Sequence, residues 1–284
     1  MHGLILVTWE KFLAERFGNS LLKAYRIAIG EEGLATSLLI SRVYDDERLQ
    51  KGVTIARQLT GISTDILLRG YGHYFITNSL TNHLCVYLLS QVRSGRDLLL
   101  TMRDAHTQMR RMPDGLMPPL FTYEMLPGYT NDFALIYDSP RHLCSWLCGT
   151  IEGATDRFGE KVNIVESTCM KRGASVCRFE IHYLAPLRRI PPQEPPELQI
   201  KQRMKLQLAN IILVALPNRH GLTLLEIQAA LQRMQTPSEQ LRLSVILEAL
   251  LSLQYTGLVT STANRPGDHL TRRRYWRVPT SGPV

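Results

Sequence analysis

Apolar residues recur at steps of three and four over most of the first 112 residues, which is the spacing of amphipathic helices. The last of these helical segments begins near Ser94, a residue type that caps helix N-termini. His106 lies beside the apolar face of that segment. The segment then runs into residues that stop helices: Pro113, Gly115, Pro118 and Pro119. The pattern predicts a helical first region that ends with an imidazole at the edge of a buried face.

Beyond residue 120 the pattern changes to short stretches that alternate apolar and polar residues or are rich in β-branched and aromatic residues, as strands are. Four strands are predicted, in FTYEMLPG, DFALIYDSP, KVNIVESTCM and SVCRFEIHY. A helix, RHLCSWLCGTIEGATDRFG, is predicted between the second strand and the third. Helices followed by a small antiparallel sheet predict an α+β domain over residues 1–183.

A proline-rich stretch, residues 184–199, predicts an extended and fairly stiff linker to a second domain over residues 200–284. Three helices and a hairpin are predicted there. Thr223 and Glu226 have the spacing of a capping box at the second helix. The third helix is predicted over 238–254, with Ser238 or Thr236 as its cap and Gly257 after its end. This succession resembles a winged-helix domain, with residues 238–254 as recognition helix and Asn264 to His269 as wing tip.

Charge is concentrated in that second region. The whole chain has a formal charge of +8, and from Lys201 onward eleven basic and four acidic residues leave +7. Such asymmetry indicates a polyanionic partner, although a merely solvated basic face is the alternative. The candidate DNA contacts are Arg242, Arg265, Arg272, Arg273, Arg274 and Arg277. The outward residues expected on the recognition helix are Gln240, Arg242, Ser244 and Glu248, a thin set for reading bases.

Tyr137, Ser139 and Arg141 alternate in LIYDSPR, so in a strand they would share one face. A phenol, a hydroxyl and a guanidinium together suit a carboxylate, since Arg makes two parallel hydrogen bonds to that group. A helical histidine combined with such a clamp suits heme, with the imidazole on iron and the clamp on the propionates. Each feature taken alone is common in proteins without heme.

The start MHGLI, the helical DAHTQM followed by PP, the strand YDSPR, the helix GTIEG and the strand CRFEIHY resemble the heme-nitric oxide/oxygen binding (H-NOX) domain over residues 1–183. The resemblance implies a heme b held by His106 as proximal ligand. It implies that Tyr137, Ser139 and Arg141 bind the propionates, and that Pro119 presses on the macrocycle and distorts it.

The resemblance also bears on the gas. Family members that hold oxygen carry a distal tyrosine five residues after the clamp arginine, and here that position is Trp146. The other distal positions implied by the resemblance are mostly apolar: Ile5, Trp9 and Phe75. An indole is a poor copy of a phenol as a donor. We therefore expect nitric oxide and carbon monoxide to bind and oxygen to be excluded.

Five cysteines without a signal peptide argue against a disulfide framework and predict a cytoplasmic protein. No apolar run reaches the roughly 18 residues of a membrane span. Four of the cysteines could meet at a tetrahedral zinc, structural or redox-sensing: Cys144, Cys148, Cys169 and Cys177. Some members of the family have a zinc site here that includes a histidine, and Cys148 would have to substitute for it. Four reduced cysteines are the alternative.

The sequence therefore predicts a heme-based nitric oxide sensor that transmits gas binding to a winged helix on duplex DNA, and we expect a homodimer. The alternative is an adaptor whose winged helix mediates dimerisation or docks a protein partner, because fold does not settle function. The chain shows no phosphate-binding loop and no nucleophile with its base, so no enzyme activity is expected.

Overall fold

The computed structural model of the protein describes residues 1–30, 38–40, 42–110, 116–127, 131–184, 196–262 and 272–278. The chain forms two compact units, each assembled from separate stretches of sequence. The first unit comprises Met1–Thr81, Val92–Arg103 and Pro118–Pro192, and the second comprises Asn82–Gln91, Asp104–Met117 and Gln193–Val284. None of the helices in the described part of the chain has the length and apolar character needed to cross a membrane.

The secondary structure is α+β, as predicted. The helices are α1 (Gly3–Phe17), α2 (Asn19–Ile29), α3 (Glu47–Thr60), α4 (Thr64–Thr77), α5 (Ser79–Leu84), α6 (Val86–Leu89), α7 (Gly95–Arg110), α8 (Cys144–Asp156), α9 (Pro196–Ala215), α10 (Leu224–Arg233) and α11 (Leu243–Tyr255). The strands are β1 (Leu120–Met125), β2 (Phe133–Asp138), β3 (Val162–Thr168), β4 (Cys177–Tyr183), β5 (Leu222–Thr223), β6 (Val259–Ser261) and β7 (Arg274–Arg277).

Helix α7 begins as the sequence predicted, because the Ser94 hydroxyl accepts the backbone N–H of Asp97 at 2.9 Å. Residues of α7 up to Arg103 belong to the first unit, and those from Asp104 onward belong to the second. The helix that carries the candidate ligand His106 is therefore shared between the two units.

Helices α4 and α8 pack closely in the first unit because glycines remove side chains from their crossing. A Cβ atom on Gly72 would overlap the carbonyl oxygen of Trp146, and one on Gly149 would overlap that of Arg69. Arg69 also pairs with Glu152 across the crossing, with Nε 3.0 Å from Oε2. Trp146 is thereby held on α8 against the core of the unit.

The four predicted strands of the first unit are confirmed, in the antiparallel order β1-β2-β4-β3. Tyr137 on β2 pairs with Phe121 on β1 and with Cys177 on β4. The predicted alternation of Tyr137, Ser139 and Arg141 along one strand is wrong, since β2 ends at Asp138. Ser139 and Arg141 lie in the turn that follows, so a change of chain direction places them and not the pleat.

The second unit has its own apolar core and a sheet of order β5-β7-β6, and its capping box of Thr223 and Glu226 is confirmed. The predicted helix 238–254 is broken. A short 3-10 helix spans Ser238–Leu241, and Arg242 is extended before α11 begins. The Gln228 amide donates to the Leu241 carbonyl at 2.7 Å and satisfies it outside a helix. Neither Ser238 nor Thr236 caps α11.

The units differ from the predicted domains because two stretches from the first half of the sequence pack in the second unit. Tyr87 packs against the core of that unit, and its hydroxyl donates to Oδ1 of Asn210 on α9 at 3.3 Å. Helix α9 begins at Pro196, inside the predicted linker. Linker residues 185–195 and the predicted wing tip from Asn264 to His269 lie outside the described residues.

Candidate functional site

His106 stands near the end of α7, half-buried, with its Nδ1 atom enclosed by protein. It belongs to the second unit. The other residues that the sequence assigned to the gas-binding site belong to the first unit: Ile5, Trp9, Phe75, Pro119, Tyr137, Ser139, Arg141 and Trp146. Pro119 is half-buried directly before β1.

The clamp residues come together although they do not share a strand. Tyr137 and Ser139 are almost fully buried. The Tyr137 oxygen accepts the backbone N–H of Leu143 at 3.2 Å, and the Ser139 oxygen accepts that of Arg141 at 3.4 Å. Burial raises the pKa of Tyr137, more than its hydrogen bonds lower it. The phenol therefore keeps its proton and can donate a hydrogen bond to an anion.

Asp46 positions the guanidinium of Arg141, and sequence analysis missed it. Arg141 Nε donates to Asp46 Oδ2 at 2.7 Å, and the other carboxylate oxygen lies 2.9 Å from the Met1 ammonium. Burial opposes ionisation of Asp46, but hydrogen bonds from the ammonium and from Arg141 outweigh it and hold its pKa below the ordinary value. A guanidinium has five N–H groups, so this pairing at Nε is compatible with a second anion.

The four residues expected on the distal side lie in or against one core, around Tyr71. Trp146 stacks on Tyr71 with ring centres 5.9 Å apart, while Trp9 meets Tyr71 edge-on at 5.1 Å. The ring centres of Phe75 and Trp146 are 5.4 Å apart, and Ile5 packs against the same core. The expected grouping is therefore present within the first unit.

Two of the donors in this aromatic group, at Tyr71 and Trp9, already have acceptors. Tyr71, which sequence analysis missed, is fully buried, and its hydroxyl bonds the carbonyl oxygen of Ile5 and lies 2.9 Å from the Thr8 hydroxyl. The Trp9 indole donates to Tyr25 at 3.2 Å. The Nε1–H of Trp146 is buried and has no acceptor among the described residues. Such an atom indicates a missing polar partner.

The sequence profile of a family described as haem-NO-binding matches residues 2–166, more than half of the chain. The chain belongs to the haem-NO-binding family. Its members are heme-based gas sensors. Among curated proteins none matches the chain.

Solved structures support the fold of this region. The H-NOX protein from S. oneidensis in the Fe(II)NO ligation state is 22% identical, with a TM-score of 0.57, over 65% of this chain and 100% of that one. The unliganded Fe(II) H-NOX protein from K. algicida is 19% identical, with a TM-score of 0.55, over 66% and 99%. A mutant H-NOX from T. tengcongensis is 21% identical, with a TM-score of 0.57, over 66% and 100%.

The residues of this haem-NO-binding protein suit the heme that its family implies. Buried hydroxyls at Tyr137 and Ser139 and a guanidinium at Arg141 are the donors that propionates need. The aromatic group around Tyr71 offers apolar surface, and the buried Trp146 Nε1–H lacks an acceptor within the described part of the chain. His106 supplies an imidazole, the commonest protein ligand of heme iron.

A second cluster joins α8 to the hairpin of β3 and β4. Ligand atoms of Cys144, Glu166, Cys169 and Cys177 all lie within 4.8 Å of one another. The sulfur atoms of Cys144 and Cys169 are 3.7 Å apart, and those of Cys169 and Cys177 are 4.0 Å apart. All five cysteines of the chain are free thiols. Three thiols and one carboxylate form a donor set that suits zinc.

The fourth predicted ligand, Cys148, is not part of this group. One helical turn beyond Cys144, it faces charges instead: burial raises its pKa, Arg69 lowers it, and Glu152 and Glu166 raise it further. Glu166 takes the fourth place, which sequence analysis missed. Burial also raises the pKa of Cys144 to about 12, so a metal would have to displace the proton of this thiol.

The candidate DNA contacts fall into three groups. Arg242, Arg272, Arg274 and Arg277 are exposed. Arg273 is buried at 7% exposure, with its Nε donating to Ser261 at 2.7 Å, so its predicted role as a phosphate contact is wrong. Arg265 lies outside the described residues.

The outward face predicted for residues 238–254 also differs. Gln240 is buried at 7% exposure because the 3-10 helix turns it inward. Glu248 lies within 2.7 Å of Lys205 and 2.5 Å of His83, so its charge is balanced within the second unit. Arg242 and Ser244 remain exposed.

Proposed function

We propose that this chain is a nitric oxide sensor whose second unit binds duplex DNA and changes its affinity with the gas. The observation that carries the choice of gas is that Trp146 brings an indole, and not a phenol, to the aromatic group around Tyr71. The Tyr71 hydroxyl bonds the carbonyl of Ile5, and the indole N–H of Trp146 has no acceptor among the described residues. Bound oxygen carries partial negative charge and needs a good donor, whereas nitric oxide binds ferrous iron with little help.

In this proposal His106 holds the iron, and Tyr137, Ser139 and Arg141 hold the propionates. The heme would supply a ferrous site for diatomic gases. Asp46 keeps the guanidinium of Arg141 oriented through the 2.7 Å hydrogen bond at Nε. We also propose that Pro119 contacts the macrocycle, as the family resemblance implies. Carbon monoxide is expected to be a second ligand in vitro.

We further propose that the cysteine cluster binds zinc through Cys144, Cys169, Cys177 and Glu166. The support is the mutual approach of these four ligand atoms to within 4.8 Å. Zinc would join α8 to the β3–β4 hairpin, and oxidation of its thiolates would release it. A structural role and a redox-sensing role both remain consistent with this geometry.

The DNA-binding half of the proposal is supported by the shape and charge of the second unit. Helices α9, α10 and α11 with the sheet β5-β7-β6 have the succession of elements of a winged helix. On and beside β7, Arg272, Arg274 and Arg277 are exposed and can neutralise phosphates. Arg274 is partly engaged already, since it donates to the Gly221 carbonyl at 2.7 Å.

A second candidate function is docking of a protein partner or dimerisation through the same unit. Glu248 is paired with Lys205 and His83, and Gln240 is buried. Residues 238–254, the predicted recognition helix, therefore offer few polar groups for reading bases. This favours the adaptor over a sequence-specific regulator, while the exposed arginines favour DNA.

The two candidates are separated by titrating heme-loaded ferrous protein with duplex DNA at several salt concentrations, with and without nitric oxide. DNA binding predicts a salt slope of about −0.9 per phosphate contact. Changing Arg272, Arg274 and Arg277 together to alanine should weaken binding and flatten that slope. The matched control removes the same charge elsewhere, with Lys201, Arg203 and Arg233 changed to alanine. If no duplex binds at low salt in either gas state, the adaptor takes the place of the regulator.

A further inference from the structure

The helix that carries His106 ends against the turn that follows α11, within the second unit. Gln108, two residues after His106, lies directly over Gly257. A Cβ atom on Gly257 would overlap the Gln108 Cβ and would lie 2.7 Å from its Cγ. Gly257 also has a φ of +72°, which side chains rarely adopt. Both the backbone of the turn and the approach of α7 therefore require glycine here.

The Gln108 side chain that makes this contact also carries an unsatisfied polar atom. The Oε1 atom of Gln108 is buried and receives no hydrogen bond from any described residue. A buried acceptor without a donor is destabilising, because its hydration is lost and not replaced. A second position of α7 that returned this atom to water or to a donor would regain that energy. The buried oxygen of Gln108 therefore favours any shift of α7 that would hydrate it or bring it to a donor.

From Gly257 a chain of hydrogen bonds leads to the strand that carries the exposed arginines. Gly257 closes the end of α11 by donating its N–H to the carbonyl of Gln254 at 2.9 Å. The Gln254 side-chain amide donates to the Ser261 hydroxyl at 2.9 Å, and Arg273 Nε donates to the same oxygen at 2.7 Å. Arg273 immediately precedes β7. Every one of these residues belongs to the second unit.

We infer that α7 itself transmits the state of the gas site to the DNA-binding strand, through the contact of Gln108 with Gly257. This inference rests on the proposed function and names the regulation of its output. His106 and Gln108 lie on the same rigid helix, so a force on the imidazole moves the amide. Because close packing leaves no room at Gly257, the turn after α11 must follow, and the bonds through Ser261 carry the shift to Arg273. The proline-rich linker is not needed for the signal.

Hydrogen exchange of the full-length, heme-loaded ferrous protein tests the inference without relying on DNA. Nitric oxide should change exchange in residues 250–258 and in β7. A coupling of ordinary strength corresponds to a change of about 5–150-fold in the affinity linked to it. In Gly257→Ala the change in those two stretches should fall at least several-fold, while nitric oxide still binds by its absorption spectrum.

The matched control is Gly61→Ala. Gly61 has a φ of +71° and follows the end of α3, but no atom of the described residues lies within 4 Å of where its Cβ would be. It therefore suffers the same backbone strain without the overlap with Gln108, and should respond to nitric oxide like the unchanged protein. Should Gly257→Ala fail to fold, Gln108→Leu serves in its place. It keeps the volume and removes the buried oxygen, so it should hold α7 in one position and reduce the response.

Three results would overturn the inference. Exchange in residues 250–258 and β7 could stay the same when the unchanged protein binds nitric oxide. Gly61→Ala could lose the response as fully as Gly257→Ala. The response could also persist in His106→Ala with heme held by added imidazole, which has no bond to α7. Hydrogen exchange could respond to nitric oxide as expected while the protein binds no duplex DNA. That result supports transmission through α7 and contradicts only the proposal that the second unit binds DNA.

Discussion

The Nε atom of Arg141 lies 2.7 Å from Oδ2 of Asp46, in an ion pair that the N-terminal ammonium extends from the other side of the carboxylate. The pair fixes a guanidinium of the proposed propionate clamp before any anion binds. Preorganisation of this kind reduces the entropy lost when a carboxylate is bound. Asp46 is thus expected to act on the heme through Arg141 and not by touching it.

Asp46→Asn should weaken heme retention and change how the free energy of unfolding depends on pH. The pKa of Asp46 is held below its ordinary value, so its contribution to stability is present above pH 3.8 and is lost as the pH falls through the lowered value. Because the side chain is partly exposed, the cost at neutral pH should be at most about 1 kcal/mol. Urea unfolding between pH 2 and pH 7 measures it. If the free energy of unfolding of the variant falls at low pH as much as that of the unchanged protein, this assignment is wrong.

Much of the fold was predictable because helix and strand periods are local properties. The four strands of the first sheet and the Ser94 cap of α7 follow from patterns within a few residues. Alternation along a strand no longer predicts the direction of side chains where the strand ends or its register shifts. Ser139 and Arg141 lie past the end of β2, and the register of β3 shifts between Glu166 and Thr168. Glu166 therefore could not be placed beside Cys169 from alternation.

Other features depend on contacts that are distant in sequence. Tyr87 and Gln108 pack with residues more than a hundred positions away, so the composition of the second unit could not be read from the linker alone. Arg273 is different, because a usable signal existed. It shares strand parity with Tyr275, which is fully buried, and alternation would have turned it inward.

Glu160→Gln should stabilise the protein at pH 8 and have little effect at pH 5. Burial raises the pKa of Glu160 to about 7, against a hydrogen bond from the Gly95 N–H at 3.0 Å that lowers it. A carboxyl with a raised pKa supports stability at low pH, and that support is lost as the pH rises from about 4.5 to 7. The expected gain at pH 8 is on the order of 2 kcal/mol.

Thermal or urea unfolding at the two pH values checks this prediction. The variant and the unchanged protein are each compared with themselves at pH 5. Glu160 meets the N-terminus of α7, so the same titration should loosen the start of that helix in the unchanged protein. A variant that is equally destabilised at both pH values would show that the carboxylate is needed for a reason other than its charge.

Ferrous protein should form no stable oxygen complex in aerated buffer and should bind nitric oxide, and Trp146→Phe should not change either result. The reason is that Trp146 brings a single indole N–H to this position, and an indole replaces the phenol poorly as a donor. Absorption spectra in air and under nitric oxide measure both. A stable oxygen spectrum that Trp146→Phe abolishes would show that Trp146 acts as the donor and would refute the exclusion of oxygen.

Zinc content should separate Cys144 from Cys148, which lie one helical turn apart. The sulfur of Cys144 is within 4.8 Å of the ligand atoms of Glu166, Cys169 and Cys177, and that of Cys148 is outside this group. Cys144→Ala should therefore lose the metal and Cys148→Ala should keep it, while Glu166→Gln should lower affinity by roughly 10–100-fold or more because a neutral amide replaces a charged ligand. Elemental analysis of metal-replete protein gives the first two results, and competition with a chelator gives the third. Loss of zinc in Cys148→Ala with retention in Glu166→Gln would restore the four-cysteine site, and absence of zinc from the unchanged protein would leave the cluster as reduced thiols.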